Sequence, residues 1–102
     1  MSSYKHKIIA TITNKKGVVV AKSTNSYSKT HPTQSRYATK CGEPYKVFLH
    51  AEIAAIIKAK GQGYKIKVER FNKHGNPLPS KPCPICELAI KEAGIKIVEY
   101  HL

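Results

Sequence analysis

The chain has 102 residues, 41% hydrophobic and 24% charged, with six Gly and six Pro, a composition that suits one compact globular domain over residues 1–102 and excludes fibrous repeats and low-complexity disorder. Lys and Arg number 18 against six Asp and Glu, a net charge of +12, so an anionic partner is expected. The longest wholly apolar run, Ile53 to Ile57, is far short of the roughly 20 residues that span a bilayer, and the opening Met-Ser-Ser-Tyr-Lys-His-Lys lacks the apolar core of a secretory leader, so a cytoplasmic protein with no membrane partner is expected.

In chain order, Lys7 to Thr13 carries Ile8, Ile9, Ala10 and Ile12, and Asn14-Lys15-Lys16-Gly17 separates it from the β-branched run Val18 to Val20. This predicts a hairpin. Residues 23 to 31 are turn formers with little to bury, and Pro32 suits the first turn of a helix. That first helix places Tyr37, Ala38 and Cys41 on one side and stops at Gly42. From Leu49 to Lys60 a second helix is apolar almost all round, which predicts a central, buried position. Tyr64, Ile66 and Val68 alternate with Lys65, Lys67 and Glu69, the period of a strand with one face in the core. Residues 72 to 81 read as a loop. A third helix starts near Pro82 or Cys83 and ends at Gly94, and Ile95, Ile97, Val98 and Tyr100 form a last strand. The order is β-β-α-α-β-α-β, an α/β fold with a minimal mixed sheet of about four strands. Its final strand-helix-strand unit is expected to be a right-handed parallel crossover, with helices packed on the sheet.

Charge is uneven along the chain. Residues 1–49 carry nine Lys/Arg against Glu43 alone, whereas residues 50–102 carry nine against five acids, so the first half holds +8 of the +12.

Three cysteines are too few for a disulfide scaffold. Two of them stand in Pro82-Cys83-Pro84-Ile85-Cys86, and His50-Ala51-Glu52 lies upstream. Together these segments supply one imidazole, two thiols and one carboxylate, a set that suits a catalytic zinc site with three protein ligands and an open fourth position. Cys83 and Cys86 are three apart and share a face at a helix N-terminus, where the dipole favours thiolate. His50 and Glu52 are about 200° apart on a regular helix. Both can face one metal only if His50 stands at the helix start with a backbone that is not yet helical.

The H-x-E and P-C-x-x-C segments, on these elements and in this order, resemble the signature of the zinc-dependent cytidine and deoxycytidylate deaminase superfamily. The resemblance covers essentially the whole chain and is closest to short, phage-type members. It implies a cytidine deaminase-like three-layer fold and a hydrolase acting on the C–N bond of a cyclic amidine. His50, Cys83 and Cys86 would hold Zn2+, and Glu52 would shuttle protons. The backbone N–H of Ala51 would meet the base carbonyl, the carbonyl of Lys81 the exocyclic amine, and Asn25 the sugar. Nucleoside-type members have an acid two positions after that asparagine, whereas Asn25-Ser26-Tyr27 has none. Lys29, with Lys22 and His31 nearby, could instead meet a 5′-phosphate. Set against that family, the expected chain stops after a fourth strand at Leu102, short of the fifth strand and C-terminal helix that help divide the family's substrate classes. The expected reaction is deamination of cytosine to uracil in a free nucleotide or nucleoside, deoxycytidylate first. Because family members commonly complete their sites across subunits, a homo-oligomer is expected.

Other readings of the same residues stand beside this one. Cytosine or adenine in single-stranded DNA or RNA is an alternative substrate, and a zinc-stabilised binding module is a non-catalytic one. A structural zinc knot would recruit Cys41 as fourth ligand; otherwise Cys41 is a small buried residue. His6, His74 and His101 read as surface or strand-end histidines, His31 as a loop residue, and Asn25 on its own as a turn former. Lys65 and Lys67 read as solvated edge charges. Tyr27, Tyr45 and Phe71 could stack on a base, but core or rim positions suit them equally.

Overall fold

The computed structural model describes residues 6–26 and 28–102, so Tyr27 lies outside the described residues. The alternation of Ile8, Ala10 and Ile12 builds β1 (Lys7–Thr13), and the chain returns as β2 (Val19–Thr24). The turn between them is fixed by Asn14 Oδ1, which accepts from the N–H of Lys16 at 2.9 Å and of Val18 at 3.0 Å. β2 runs past Val20 to Thr24, beyond the β-branched segment that announces it. Pairing from Ile9↔Thr24 to Thr13↔Val19 carries the strand there, and Ala21 and Ser23 turn into the core.

α1 (Pro32–Lys40) starts where Pro32 supplies the helical φ, and His31 caps it, its Nδ1 accepting from Thr33 N–H at 3.1 Å. α2 (Ala51–Ala59) buries Ala51, Ala54, Ala55 and Ala59, and these short side chains let it lie close against β1 and β2. β3 (Lys65–Phe71) pairs antiparallel with β1 over its whole length, from Lys7↔Phe71 to Thr13↔Lys65. After it, within residues 72–81 whose composition predicts a loop, comes a short strand, β4 (Pro77–Leu78), followed by α3 (Pro84–Glu92) and β5 (Ile97–Tyr100). β5 pairs parallel with β3, from Lys65↔Ile97 to Val68↔Tyr100, as the strand-helix-strand reading expects.

The correction at β4 has a local cause. Asn72 Oδ1 accepts from His74 N–H at 2.9 Å and Asn76 N–H at 3.0 Å, closing a turn with Gly75 at φ 82°. That turn brings Pro77 opposite Phe71 and Leu78 opposite Arg70. Two prolines hide the strand from a propensity reading, yet proline is tolerated on a sheet edge, where its missing N–H would face solvent. The sheet therefore has five strands in a mixed arrangement, with β4 and β5 end to end along the edge of β3 that β1 leaves open.

Layering follows from the side-chain periods. Ala10, Ile12, Ala21, Ile66 and Val68 face α2 and Ile90 of α3 in one apolar cluster. Ile53 of α2 with Ile85, Cys86 and Ala89 of α3 forms a second, closed on its far side by Tyr37 and Ala38 of α1. The order of layers is sheet, then α2 with α3, then α1. Both α2 and α3 point their N-termini at the end of the sheet where Ile8 and Arg70 lie. Among the described residues no helix is long and apolar enough to cross a membrane.

Candidate metal centre and adjoining cavity

His50 is the N-cap of α2 with φ −77° and ψ 152°, an extended backbone, and Glu52 is in the first helical turn. The break in helical geometry falls where a shared centre for His50 and Glu52 demands it. Cys83 is likewise the extended N-cap of α3 (φ −71°, ψ 166°), with Pro84 opening the helix and Cys86 in its first turn. These two caps bring His50 Nδ1 to 3.2 Å from Cys86 Sγ and 3.5 Å from Cys83 Sγ, and the three ligand atoms all lie within 4.8 Å of one another.

That spacing fits zinc. Tetrahedral bonds of about 2.3 Å to sulfur and about 2.0 Å to nitrogen set the N···S separation near about 3.5 Å. Cys41 is not in the cluster: it caps the C-terminus of α1, half-buried against the helices, so a four-ligand knot closed by Cys41 is not formed. The three donors are electrostatically coupled. A hydrogen bond from the Cys86 thiol, helped by His50, lowers Cys83 to about 4. The Cys83 sulfur and burial together push Cys86 up. The hydrogen bond to Cys83 raises His50. Burial pushes the Glu52 carboxyl above the ordinary carboxylate range; hydrogen bonding to its own backbone N–H and the nearby His50 pull it back in part.

A cavity of about 200 Å³ opens on this cluster. Glu52, 5% exposed, and His50 form one wall; Pro79, Ser80, Lys81 and Cys83 form another; Ile8, Val68 and Arg70 come from the sheet, and His6 from the residue just before β1. Larger clefts, of about 320 Å³ beside β4 and β5 and about 580 Å³ around Gly63, lie away from the ligands. Phe71 lines the first of these and so stands apart from the cluster. Donor chemistry, not size, singles out the smaller cavity.

The sequence-derived site residues are distributed as follows. His50, Glu52, Cys83 and Cys86 converge. Ala51, fully buried, is the first residue of α2, so its N–H has no partner within the helix. Lys81 lies in the cavity wall, held there by its neighbour: Ser80 Oγ donates to the Val68 carbonyl at 2.7 Å and accepts from His101 N–H at 2.8 Å. Asn25 borders an adjoining groove rather than the cavity, and its amide serves β1, Oδ1 accepting from Ile8 N–H at 2.9 Å and Nδ2 donating to the His6 carbonyl at 3.3 Å. Lys29 is exposed and lines neither space.

Two features escaped the sequence reading. His6, which by sequence reads as a surface or strand-end histidine, lines the cavity with Arg70, which donates to it. Gln34 of α1 is fully buried; its Oε1 accepts from His50 N–H at 3.2 Å and its Nε2 donates to the Lys46 carbonyl at 3.1 Å. Its signal was present, since Gln34 stands one helical turn before Tyr37 and Ala38 on the buried side of α1. Gln34→Leu is expected to remove the partners of the part-buried His50 N–H and Lys46 carbonyl, costing about 1 kcal/mol for each. Urea denaturation should show that loss together with weaker zinc retention against a competing chelator; unchanged zinc retention would separate Gln34 from the centre.

The family model for the cytidine and deoxycytidylate deaminase zinc-binding region matches residues 2–102. No curated protein is found to match the chain.

Proposed function

The chain belongs to the cytidine and deoxycytidylate deaminase family, and on that premise we propose that it hydrolyses the exocyclic C–N bond of cytosine, giving uracil and ammonia, in a free nucleotide or nucleoside, deoxycytidylate first. One observation carries this reading: a buried carboxyl, Glu52, shares a cavity with the His50, Cys83 and Cys86 cluster without belonging to it. A purely structural metal site has no use for that carboxyl.

His50, Cys83 and Cys86 would hold zinc. When bound, the metal supplies a water of lowered pKa at its open position and hence the nucleophile. Glu52 would take one proton from the attacking water and pass it to the ring nitrogen; it would then take the second from the hydroxyl left on the ring carbon and pass it to the departing amine as the C–N bond breaks and the carbonyl forms. A carboxyl raised by burial suits that traffic, because its affinity for a proton lies nearer to the groups it serves. The Ala51 N–H holds the base carbonyl and the Lys81 carbonyl accepts from the amine, so the base is read by backbone atoms fixed at two helix starts. Ser80 supports this by fixing the chain just before Lys81.

A second reading has its own observation. Tyr45, 72% exposed, and Phe48, 49% exposed, border a groove with Lys46 that reaches His50. Exposed aromatics beside cations suit stacking of flanking bases in a single strand. Under this reading activity on an oligonucleotide falls steeply as salt rises.

The test is a mass-spectrometric screen of free bases, nucleosides, nucleotides and single-stranded oligonucleotides with zinc-loaded protein. Release of ammonia from deoxycytidylate is the expected result. Protein holding one zinc per chain that deaminates none of cytidine, deoxycytidine and their phosphates overturns the proposal.

A further inference from the structure

The period of the strands carries side chains past the core and into the cavity. Ile66 and Val68 face the helices, and two residues on, the same face of β3 presents Arg70; on β1, Ala10 and Ile8 lead back to His6. A half-buried arginine at the end of a core face packs its stem on the apolar residues and presents its guanidinium to the space beyond, here the cavity. Here the described salt bridges join Lys40 to Glu92, Lys46 to Glu43 and Lys65 to Glu99, and none takes Arg70. Its hydrogen bonds among the described residues run to the ring of His6, to Nδ1 from Nε at 3.1 Å and from a terminal nitrogen. That arrangement turns the guanidinium edge-on to an imidazole and leaves further N–H donors of its fork for a ligand. Among the described residues Glu52 is the one carboxyl in the cavity lining, and Lys81 is a second basic residue there.

We infer that Arg70, oriented by His6, binds a phosphate group of the substrate and so decides for nucleotides over nucleosides. This rests on the deaminase reading and deepens it. The cavity, at about 200 Å³, is of a size for a base, and a phosphate is the anionic group that a nucleotide carries beyond it. A guanidinium matches a phosphate with two parallel N–H···O bonds. Lys29, the phosphate candidate of the sequence, is exposed outside the cavity, whereas Arg70 shares its lining with Glu52.

The test compares kcat/KM for deoxycytidine 5′-monophosphate and for deoxycytidine in the wild-type and Arg70→Gln proteins. Loss of one charge-assisted contact is expected to reduce the preference for the nucleotide by about 10–100-fold, with Arg70→Lys restoring part of it. Equal losses on both substrates, or no loss, overturn the inference. Binding of deoxyuridine 5′-monophosphate and of deoxyuridine, followed by calorimetry, gives the same comparison without turnover. The inference thus stays testable even if deamination is not the reaction. A second arm uses a single-stranded oligonucleotide: Arg70-dependence there identifies a diester as the bound group, and Arg70-dependence confined to the mononucleotide identifies a monoester. If Arg70→Gln fails to fold, Arg70→Lys carries the test, because it keeps the charge and removes the fork; an unchanged preference would then overturn the two-bond contact.

Discussion

Glu52→Gln is expected to keep one zinc per chain and to lose about 10²–10⁴-fold in turnover, the contribution of a positioned proton carrier. Gln keeps the volume and polarity of Glu52 at a site that is 5% exposed, so packing is preserved while the proton has nowhere to go. Stability should move the other way. Burial raises the Glu52 carboxyl above its ordinary value, so between the unfolded and folded values the folded chain holds the extra proton. By linkage, stability then falls as pH rises through that window and stays lower above it. Gln removes the penalty, and a thermal melt of the metal-free protein near neutral pH should place the variant at or above wild type. Zinc content, ammonia release and melting temperature check the three parts separately. A variant that deaminates at the wild-type rate sinks the proton-shuttle role. A zinc-stabilised binding module is the reading that would survive.

Cys86→Ser should abolish tight zinc binding and with it the extra stability that the metal supplies. Cys86 is fully buried among Ile53, Ile85 and Ala89, and its sulfur lies 3.2 Å from His50 Nδ1. A cation held there ties the start of α2 to the start of α3. A ligand that binds only the folded chain stabilises it by about 4 kcal/mol when present at a thousand times its Kd. In a chain of this size each kcal/mol moves the melting temperature by roughly 4–8 °C. Chelation should therefore lower the wild-type melting temperature by tens of degrees and leave the variant almost unmoved. Differential scanning calorimetry with and without a chelator reads both. A wild-type melt that ignores the chelator would mean that the three donors do not hold a metal.

Much of the site was legible because its chemistry is local. Each donor stands at a helix start marked by proline or by a switch from loop to apolar helix, and the conflict between His50 and Glu52 on a regular helix pointed to the extended cap found at His50. The alternation of Ile66 and Val68 placed β3, and its parallel partner β5 followed from the helix between them. What escaped depends on contacts distant in sequence. β4 exists because an Asn72 turn folds two prolines against β3, which propensity alone reads as loop. The amide of Asn25 is engaged by the backbone of β1, a partner that no spacing within the loop announces. Arg70 and His6 were each unremarkable in their own segment. They meet because β1 and β3 pair, which brings together residues 64 positions apart.

That same pairing sets an order of events during synthesis. β1 is flanked by β2 and β3, and its register with β3 joins Lys7 to Phe71, so the central ladder cannot close until more than half of the chain has been made. Pairings so distant along a sequence form slowly, because the intervening chain must be ordered before they repay it. Cys86 emerges later still, and β5 last. At translation rates of about 5–20 residues per second, the hairpin of β1 and β2 waits for seconds with its apolar face uncovered. Capture by a chaperone, or oxidation of the two thiols before a cation reaches them, would compete with folding during that interval. Yield on expression should accordingly respond to zinc supply during synthesis more than to zinc added afterwards.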